Sequence, residues 1–316
     1  MEKETNQTKR LGALLLLAGL GLAGTAGGCL HLNQQLHAGL LREEALTAQI
    51  HQLEEQLTQQ QTALEQAQEE TAFLREYSFV TPEGEAPSYT QLYPDFYAQP
   101  WTGEEITGGR VVCLTFDDGP SANTDRVLKV LEEQGIQATF FVVGKTGPEA
   151  QERMRAILAG GHTLAMHSWS HDYKKLYTSV EAFLEDFYQL YQWIYEVTGQ
   201  YPLVFRFPGG SINAHSRGIY QELVAEMTRR GFVYFDWNAS AQDATPKPLS
   251  PAVITENCLK GIGRDLVVIL SHDSAARSTT VEALPSIIQG YREAGYTFAP
   301  LTPGVKPVIL DYKRES

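Results

Sequence analysis

The sequence is poor in basic residues and in cysteine. Lys and Arg together number 25, against 38 Asp and Glu, and the formal net charge is −13. Because nucleic-acid binding needs clustered positive charge to neutralise phosphates, this balance argues against a nucleic-acid partner. The chain has three cysteines, Cys29, Cys113 and Cys258, and an odd number cannot all pair in disulfides. We expect Cys113 and Cys258, which lie in an apolar run and in a predicted helix, to be small core residues.

Long hydrophobic runs are also scarce, with one exception at the N-terminus. Residues 11–32 contain no Asp, Glu, Lys or Arg, and Lys3, Lys9 and Arg10 precede them. About 20 apolar residues span a bilayer, and flanking positive charges favour a cytoplasmic N-terminus. The pattern predicts a membrane anchor at 1–32, a single pass with the rest of the chain outside the cell. Two alternatives stay open: a cleaved secretory signal and a lipoprotein attached at Cys29. All three export the chain.

The segment 33–78 lacks proline and has a single glycine, Gly39. Apolar residues fall on the a and d positions of one heptad register: Leu46, Ile50, Leu53, Leu57, Leu64, Ala67 and Leu74. This spacing predicts a coiled-coil stalk through which the chain could form a homo-oligomer, and a single solvated helix is the alternative. Pro, Gly and acidic residues then mark 79–109 as a linker, whose aromatic residues we expect to pack on the domain that follows.

From residue 110 to 305, short apolar runs alternate with helical patterns. We predict strands at 111–116, 138–143, 162–166, 203–207, 232–237, 266–271 and 296–300. The intervening helices are predicted at 121–134, 149–159, 178–197, 215–230, 251–260 and 279–294. This alternation predicts an α/β fold with a parallel sheet, either a barrel or a doubly wound sheet. Residues 306–316 are expected to form a C-terminal tail.

Polar residues follow the strands at their carboxyl ends, where ligands bind in both architectures. They are Asp117 and Asp118 after the first strand, His167 and His171 after the third, Arg206, Asp236, Asp243, and His272 after the sixth. Each taken singly has a structural explanation, as a turn, a cap or an ion pair. Two imidazoles and a carboxylate, however, suit a divalent metal ion, and a second carboxylate beside them can accept a proton from water. The set therefore predicts metal-assisted hydrolysis.

The sequence from about 110 to 300 resembles the polysaccharide deacetylase family, the NodB homology domain of carbohydrate esterase family 4. Five family motifs occur in the family's order: Thr-Phe-Asp-Asp-Gly, His-Ser-x-x-His, Arg-x-Pro-x-Gly, an Asp-containing motif and Leu-x-His. The resemblance implies a distorted (β/α) barrel of about seven parallel strands. It leaves the membrane segment, stalk and linker unexplained.

The resemblance also implies a role for each matching residue. Asp117 would be the general base, oriented by Arg206, and His272 the general acid. Asp118, His167 and His171 would hold one metal ion, zinc or alternatively cobalt or manganese.

For substrate binding, the resemblance implies that the backbone N–H of Gly209 helps to hold the oxyanion and that Leu270 lines the pocket for the acetyl methyl group. The reaction would be attack of a metal-bound water on an acetamide carbonyl, which releases acetate and an amine.

The fourth motif departs from the family pattern. Asp243 aligns as the carboxylate that supports the acidic histidine, and Asp236 is a competing candidate. Ala244 stands where the family often has a tryptophan that lines the sugar groove. Trp169 and Trp237 are candidates for aromatic stacking there, with packing in the core as the alternative for each.

The predicted function is removal of N-acetyl groups from cell-wall polysaccharide, with N-acetylglucosamine residues of peptidoglycan as the substrate. The alternative is a hydrolase of the same fold acting on another amide or on O-acetyl esters such as acetylated xylan. A non-catalytic surface protein would be expected to have degraded motifs, whereas the motifs that carry the metal and proton-transfer residues are intact.

Overall fold

The computed structural model describes residues 35, 37–43, 45–54, 56–57, 86–103, 105–106 and 109–310. Two units are distinguished, Met1–Glu76 and Tyr77–Ser316. The predicted membrane segment 1–32 and residues 311–316 of the tail lie outside the described residues. None of the helices in the described ranges is long and apolar enough to cross a membrane.

In the first unit, the described residues between 35 and 57 are helical. The predicted seam residues Leu46, Ile50, Leu53 and Leu57 are 52–62% exposed. Leu64, Ala67 and Leu74 of the predicted seam lie outside the described residues. The helical conformation is compatible with both a coiled-coil stalk and a single solvated helix. Self-association of the stalk therefore stays a prediction.

The second unit is built on an eight-stranded sheet in which every pairing is parallel. The strands are β1 (Val111–Gly119), β2 (Thr139–Val143), β3 (Thr163–Ser168), β4 (Val204–Phe205), β5 (Val233–Tyr234), β6 (Ala239–Ser240), β7 (Leu266–His272) and β8 (Thr297–Phe298). Seven strands run in the order β5-β4-β3-β2-β1-β7-β6, and β8 pairs with β1 off this path. The sheet is a half-barrel, consistent with a distorted barrel.

The helices follow the strands on the outside of the sheet, as crossover connections require. They are α1 (Ala122–Gln134), α2 (Pro148–Ala159), α3 (Tyr173–Leu176), α4 (Val180–Thr198), α5 (Tyr220–Arg229), α6 (Pro251–Leu259) and α7 (Ser278–Glu293). Helix α1 begins with a capping box at Ser121, whose hydroxyl accepts from the N–H of Asn123. It ends at Gly135, which adopts the left-handed conformation with φ of 62°.

The long strands agree with the sequence patterns and the short ones do not. The predicted strands at 203–207, 232–237 and 296–300 are reduced to two residues each, and β6 was not predicted. The predicted helix at 215–230 begins only at Tyr220. Between residues 213 and 216, the side-chain oxygen of Asn213 accepts hydrogen bonds from the backbone N–H groups of His215 and Ser216. The chain therefore makes a turn before the helix starts.

Two buried apolar clusters form the core, and Cys113 belongs to the smaller one. The larger one includes Phe140 from β2, Phe187 from α4 and Ile269 from β7, all at most 1% exposed. Cys113 and Cys258 are buried free thiols, which confirms their prediction as core residues. Burial raises the pKa of each thiol to about 12, so neither is reactive.

Aromatic residues before β1 pack on the domain that contains the sheet. Phe96 is fully buried, and Tyr93 packs against the core. The guanidinium of the buried Arg230 donates to the backbone carbonyls of Tyr93 and Phe96 over 3.0 and 3.2 Å. These bonds attach residues 89–96 to the end of α5.

Candidate active site

The two neighbouring aspartates at the end of β1 face the same site because the strand is irregular there. Side chains of consecutive residues in a regular strand point to opposite faces. Here the pairing of β1 with β2 shifts register between Asp117 and Gly119, and Asp118 has a φ of 69°. As a result, Nε2 of His167 lies 3.7 Å from a carboxylate oxygen of Asp117 and 3.6 Å from one of Asp118.

Asp118, His167 and His171 bring three ligand atoms together, all within 4.8 Å of one another. Oδ1 of Asp118 is 3.2 Å from Nε2 of His171. Nδ1 of His167 donates to the carbonyl of Arg206 over 3.0 Å, which leaves Nε2 unprotonated and directed at the site. Burial lowers the pKa of His167, and the charges of Asp117 and Asp118 only partly oppose this, so the ring is neutral and available as a ligand.

The donor set fits a divalent metal ion. Oδ1 of Asp118 is buried and accepts no regular hydrogen bond from the described residues, although Nε2 of His171 lies 3.2 Å away. An ionised carboxylate oxygen in that position is costly unless a cation balances it. Two imidazole nitrogens and one carboxylate oxygen, with room left for water and substrate, are typical of a catalytic zinc centre. These three residues would hold the ion.

Arg206 fixes the carboxylate of Asp117. Its side chain is fully buried, and Nη1 donates to Oδ1 of Asp117 over 2.8 Å and to the hydroxyl of Thr115 over 2.7 Å. Nε and Nη2 donate to the carbonyls of Phe235 and Asp236. Because four of its five N–H donors are bonded and the side chain is buried, the guanidinium is held in place, and it binds one oxygen of Asp117 while the other faces His167.

His272 lies opposite Asp117 in the ladder of β1 and β7. Its Nδ1 is 2.7 Å from Oδ1 of Asp243, whose Oδ2 accepts from the backbone N–H of His272 over 2.9 Å. Burial alone would lower the pKa of His272. The hydrogen bond to Asp243, with the charges of Asp243, Asp117 and Asp118, outweighs burial and raises the pKa to about 9. The ring is therefore a cation at neutral pH and carries a proton to give.

Asp236, the competing candidate for the support of His272, lies elsewhere. Its oxygens accept from the backbone N–H and hydroxyl of Ser211, over 2.8 and 2.5 Å, and from the N–H of Leu310 over 2.9 Å. Its own N–H donates to the carbonyl of Val308. Asp236 thus joins the loop after β4 to residues 308–310, and Asp243 is the carboxylate that contacts the histidine.

The predicted substrate-binding residues lie in the loop after β4, on β7 and in the segment between β5 and β6. Gly209 is exposed in the loop after β4, has a φ of 77°, and its N–H donates to no acceptor in the described part of the chain. Leu270 is half-buried on β7, opposite Thr115. Trp237 is half-buried, with its ring 5.8 Å from the guanidinium carbon of Arg206. The sequence pattern gave no sign of Thr280, whose hydroxyl donates to Oδ2 of Asp243 over 2.7 Å from the first turn of α7.

Comparison with known proteins points to one protein family. The family model described as "Polysaccharide deacetylase" matches residues 104–228. A peptidoglycan-N-acetylglucosamine deacetylase of Bacillus cereus is 32% identical over 193 residues, which cover 60% of this chain and 68% of that protein. A bifunctional xylanase/deacetylase of Pseudobutyrivibrio xylanivorans is 30% identical over 67% of this chain and 34% of that protein.

A solved structure is similar to this chain as well. The catalytic domain of a peptidoglycan N-acetylglucosamine deacetylase from Eubacterium rectale superposes with a TM-score of 0.62 and 38% identity, covering 67% of this chain and 98% of that domain. Sequence, fold and the residues gathered at the ends of β1, β3, β4 and β7 lead to the same family. The chain belongs to the polysaccharide deacetylases and is an enzyme of that class.

Proposed function

We propose that the protein hydrolyses the N-acetyl groups of N-acetylglucosamine residues in peptidoglycan. The observation that carries this proposal is the division of the site into two parts. Asp118, His167 and His171 form the ligand set. A base held by Arg206 and an acid held by Asp243 lie beside it on neighbouring strands.

The ligand set would hold Zn²⁺, with Co²⁺ or Mn²⁺ as alternatives. When bound, such an ion polarises the acyl oxygen and lowers the pKa of water at the site. The remaining steps belong to the side chains of the protein.

Asp117 is the general base of the proposed reaction. Its Oδ1 is held by Arg206, and its Oδ2 lies on the side of His167. As a water oxygen bonds to the carbonyl carbon, Asp117 takes a proton from that water. The N–H of Gly209 donates to the acyl oxygen, on which negative charge develops.

His272 is the general acid. Its raised pKa keeps it protonated at neutral pH. When the carbon–nitrogen bond breaks, the nitrogen takes the proton of His272 and leaves as the free amine. The acyl group, now bearing the water oxygen and its second proton, leaves as acetic acid, which gives that proton to solvent and becomes acetate. Asp243 stabilises the charged ring before the transfer and keeps its orientation.

The choice of substrate is supported by the relatives from Bacillus cereus and Eubacterium rectale, which are named as peptidoglycan N-acetylglucosamine deacetylases. We also propose that the catalytic domain lies outside the cell, attached to the membrane by the N-terminal segment. The apolar, charge-free sequence of residues 11–32 supports this location. The xylanase/deacetylase relative supports the second candidate, an O-acetyl esterase of xylan.

Acetate release by the full-length, zinc-loaded chain tests these candidates side by side. We expect release from N-acetylated peptidoglycan fragments and not from acetylated xylan. Asp117→Asn should reduce the rate of release by roughly 10²- to 10⁴-fold, and Asp125→Asn, at an exposed position of α1, should leave it unchanged. Absence of release from peptidoglycan with any divalent metal would refute the proposal, and release from xylan alone would support the second candidate.

A further inference from the structure

Two hydrogen-bond donors beside the candidate metal site have no acceptor within the described part of the chain. One is the N–H of Gly209. The other is the hydroxyl of Tyr173, a half-buried residue at the start of α3. The tyrosine lies two residues after His171, and the rings of the two residues meet edge to face with centroids 5.3 Å apart. Nothing in the sequence pattern singled out Tyr173.

The absence of a side chain at Gly209 leaves room for the Tyr173 ring. A Cβ atom built on Gly209 would lie 2.7 Å from Cε1 of Tyr173 and 3.1 Å from its hydroxyl oxygen. Any larger residue would therefore displace the hydroxyl edge of the ring. The positive φ of Gly209 adds a second reason for glycine at this position. The Tyr173 hydroxyl and the Gly209 backbone are therefore kept next to each other.

The loop that carries Gly209 is held firmly on its other side. The hydroxyl of Tyr177 donates to the carbonyl of Pro208 over 2.8 Å. The side-chain amide of Asn213 donates to the carbonyls of Pro208 and Gly210 over 3.1 and 3.0 Å. These bonds occupy the carbonyls of Pro208 and Gly210 and fix the loop, so the N–H of Gly209 is a donor prepared in advance of a substrate. The contact with Gly209 places the Tyr173 hydroxyl next to it.

We propose that Tyr173 is a catalytic residue whose hydroxyl donates a hydrogen bond to the acyl oxygen of the substrate, alongside the N–H of Gly209. The inference rests on the proposed deacetylase function. Negative charge grows on that oxygen as water adds to the carbonyl, so a fixed donor there lowers the barrier more than it strengthens ground-state binding. Gly209 contributes only its backbone N–H, and the Tyr173 hydroxyl would supply a second donor.

The test compares Tyr173→Phe with the parent, both as the full-length zinc-loaded chain, on N-acetylated peptidoglycan fragments with acetate release as readout. Phenylalanine keeps the ring against Gly209 and removes only the hydroxyl. We expect kcat to fall on the order of 10²-fold with KM unchanged, the size of effect found for one oxyanion donor. Tyr195→Phe is the matched control, because Tyr195 is 44% exposed on α4 and stacks on Tyr201. It should match the parent.

Zinc affinity is measured on the same variants, because Tyr173 neighbours a metal ligand. We expect Tyr173→Phe to bind zinc as the parent does. Unchanged kcat would overturn the inference, and so would a rise in KM alone, which would assign the hydroxyl to ground-state binding. A loss of zinc affinity large enough to explain the lost activity would overturn it too. If the parent itself releases no acetate, the proposed function fails, and this inference fails with it.

Discussion

Asp243 holds His272 at two points, through the imidazole Nδ1 at 2.7 Å and through the backbone N–H at 2.9 Å. One carboxylate thus fixes both the ring and the strand that carries it. This arrangement explains why the pKa of His272 is about 9 in spite of burial. It also has a consequence for stability, because the folded pKa exceeds the ordinary value of 6.5.

The first prediction concerns this pH dependence in the metal-free protein. The folded state holds the proton of His272 more tightly than the unfolded state. The stabilisation is therefore complete below about pH 6.5 and is lost as pH rises through about 9, a change of about 3 kcal/mol. Urea unfolding in the presence of a chelator should show this fall for the parent. Asp243→Asn should show a much flatter profile between the same pH values, and an equal fall in both proteins would contradict the prediction.

The second prediction separates the two neighbouring aspartates. Asp118 lies in the ligand set, whereas Asp117 is bound to Arg206. Asp118→Asn should weaken zinc binding strongly, because an amide is a poorer ligand than a carboxylate. Asp117→Asn should bind zinc almost as the parent does and lose roughly 10² to 10⁴-fold in kcat, the usual contribution of a general base. Titration calorimetry with zinc, paired with acetate release, checks both. Equal zinc affinities in the two variants would show that the roles are wrongly divided.

The third prediction concerns Thr280, which donates to Asp243 from α7. Thr280→Val keeps the shape of the side chain and removes the donor, leaving a buried carboxylate oxygen with one bond fewer. A hydrogen bond to a charged group is worth about 1.5–3 kcal/mol, so we expect a loss of that order in the free energy of unfolding. The neighbouring Thr279→Val is the matched control and should change stability little. Comparable losses in both variants would indicate a general effect on the helix.

The fourth prediction concerns Asp273, whose buried carboxyl group accepts a hydrogen bond from the hydroxyl of Thr124. Its Oδ1 has no partner among the described residues. Burial raises the pKa to about 7, with the Thr124 bond and the charge of Lys145 opposing. Because the folded pKa exceeds the ordinary value of 3.8, the folded state binds the proton more tightly, and stability decreases as pH rises from about 4 to about 7.

Asp273→Asn should remove this part of the slope, since asparagine accepts the same hydrogen bond and carries no charge. Asp125→Asn, whose side chain is 53% exposed, is the control and should keep the slope of the parent. Denaturant unfolding at several pH values gives both curves. A slope in Asp273→Asn identical to that of the parent would contradict the assignment.

The sequence was sufficient for the parts of the fold and site that depend on local pattern. Strands β1, β2 and β7 are long and apolar, and their pattern located them. The strand β6 consists of Ala239 and Ser240 alone, too short for any periodicity, and its pairing with β7 depends on the assembled sheet. The grouping of the site residues followed from their positions at strand ends. The left-handed backbone of Asp118 could not be inferred, because an aspartate before glycine adopts several conformations.

Contacts between residues that are far apart in the sequence could not be predicted either. Thr280 meets Asp243 through the packing of α7 on the sheet, and Tyr173 meets Gly209 through the loop after β4. Neither threonine nor tyrosine at these positions forms a recognisable pattern with its partner along the chain. On sequence Asp243 was the preferred candidate and Asp236 the competing one, and the hydrogen bonds of each carboxylate distinguish them.

The ladder between β1 and β7 pairs seven consecutive residues, from Val111 opposite Leu266 to Asp117 opposite His272. The separation of the proposed base and acid is therefore set by main-chain hydrogen bonds deep in the sheet. Loops around the rim can lengthen, shorten or exchange residues, as at Ala244, without altering that separation. An enzyme built in this way can acquire a new glycan preference by changing its rim while its proton-transfer pair stays at a constant spacing.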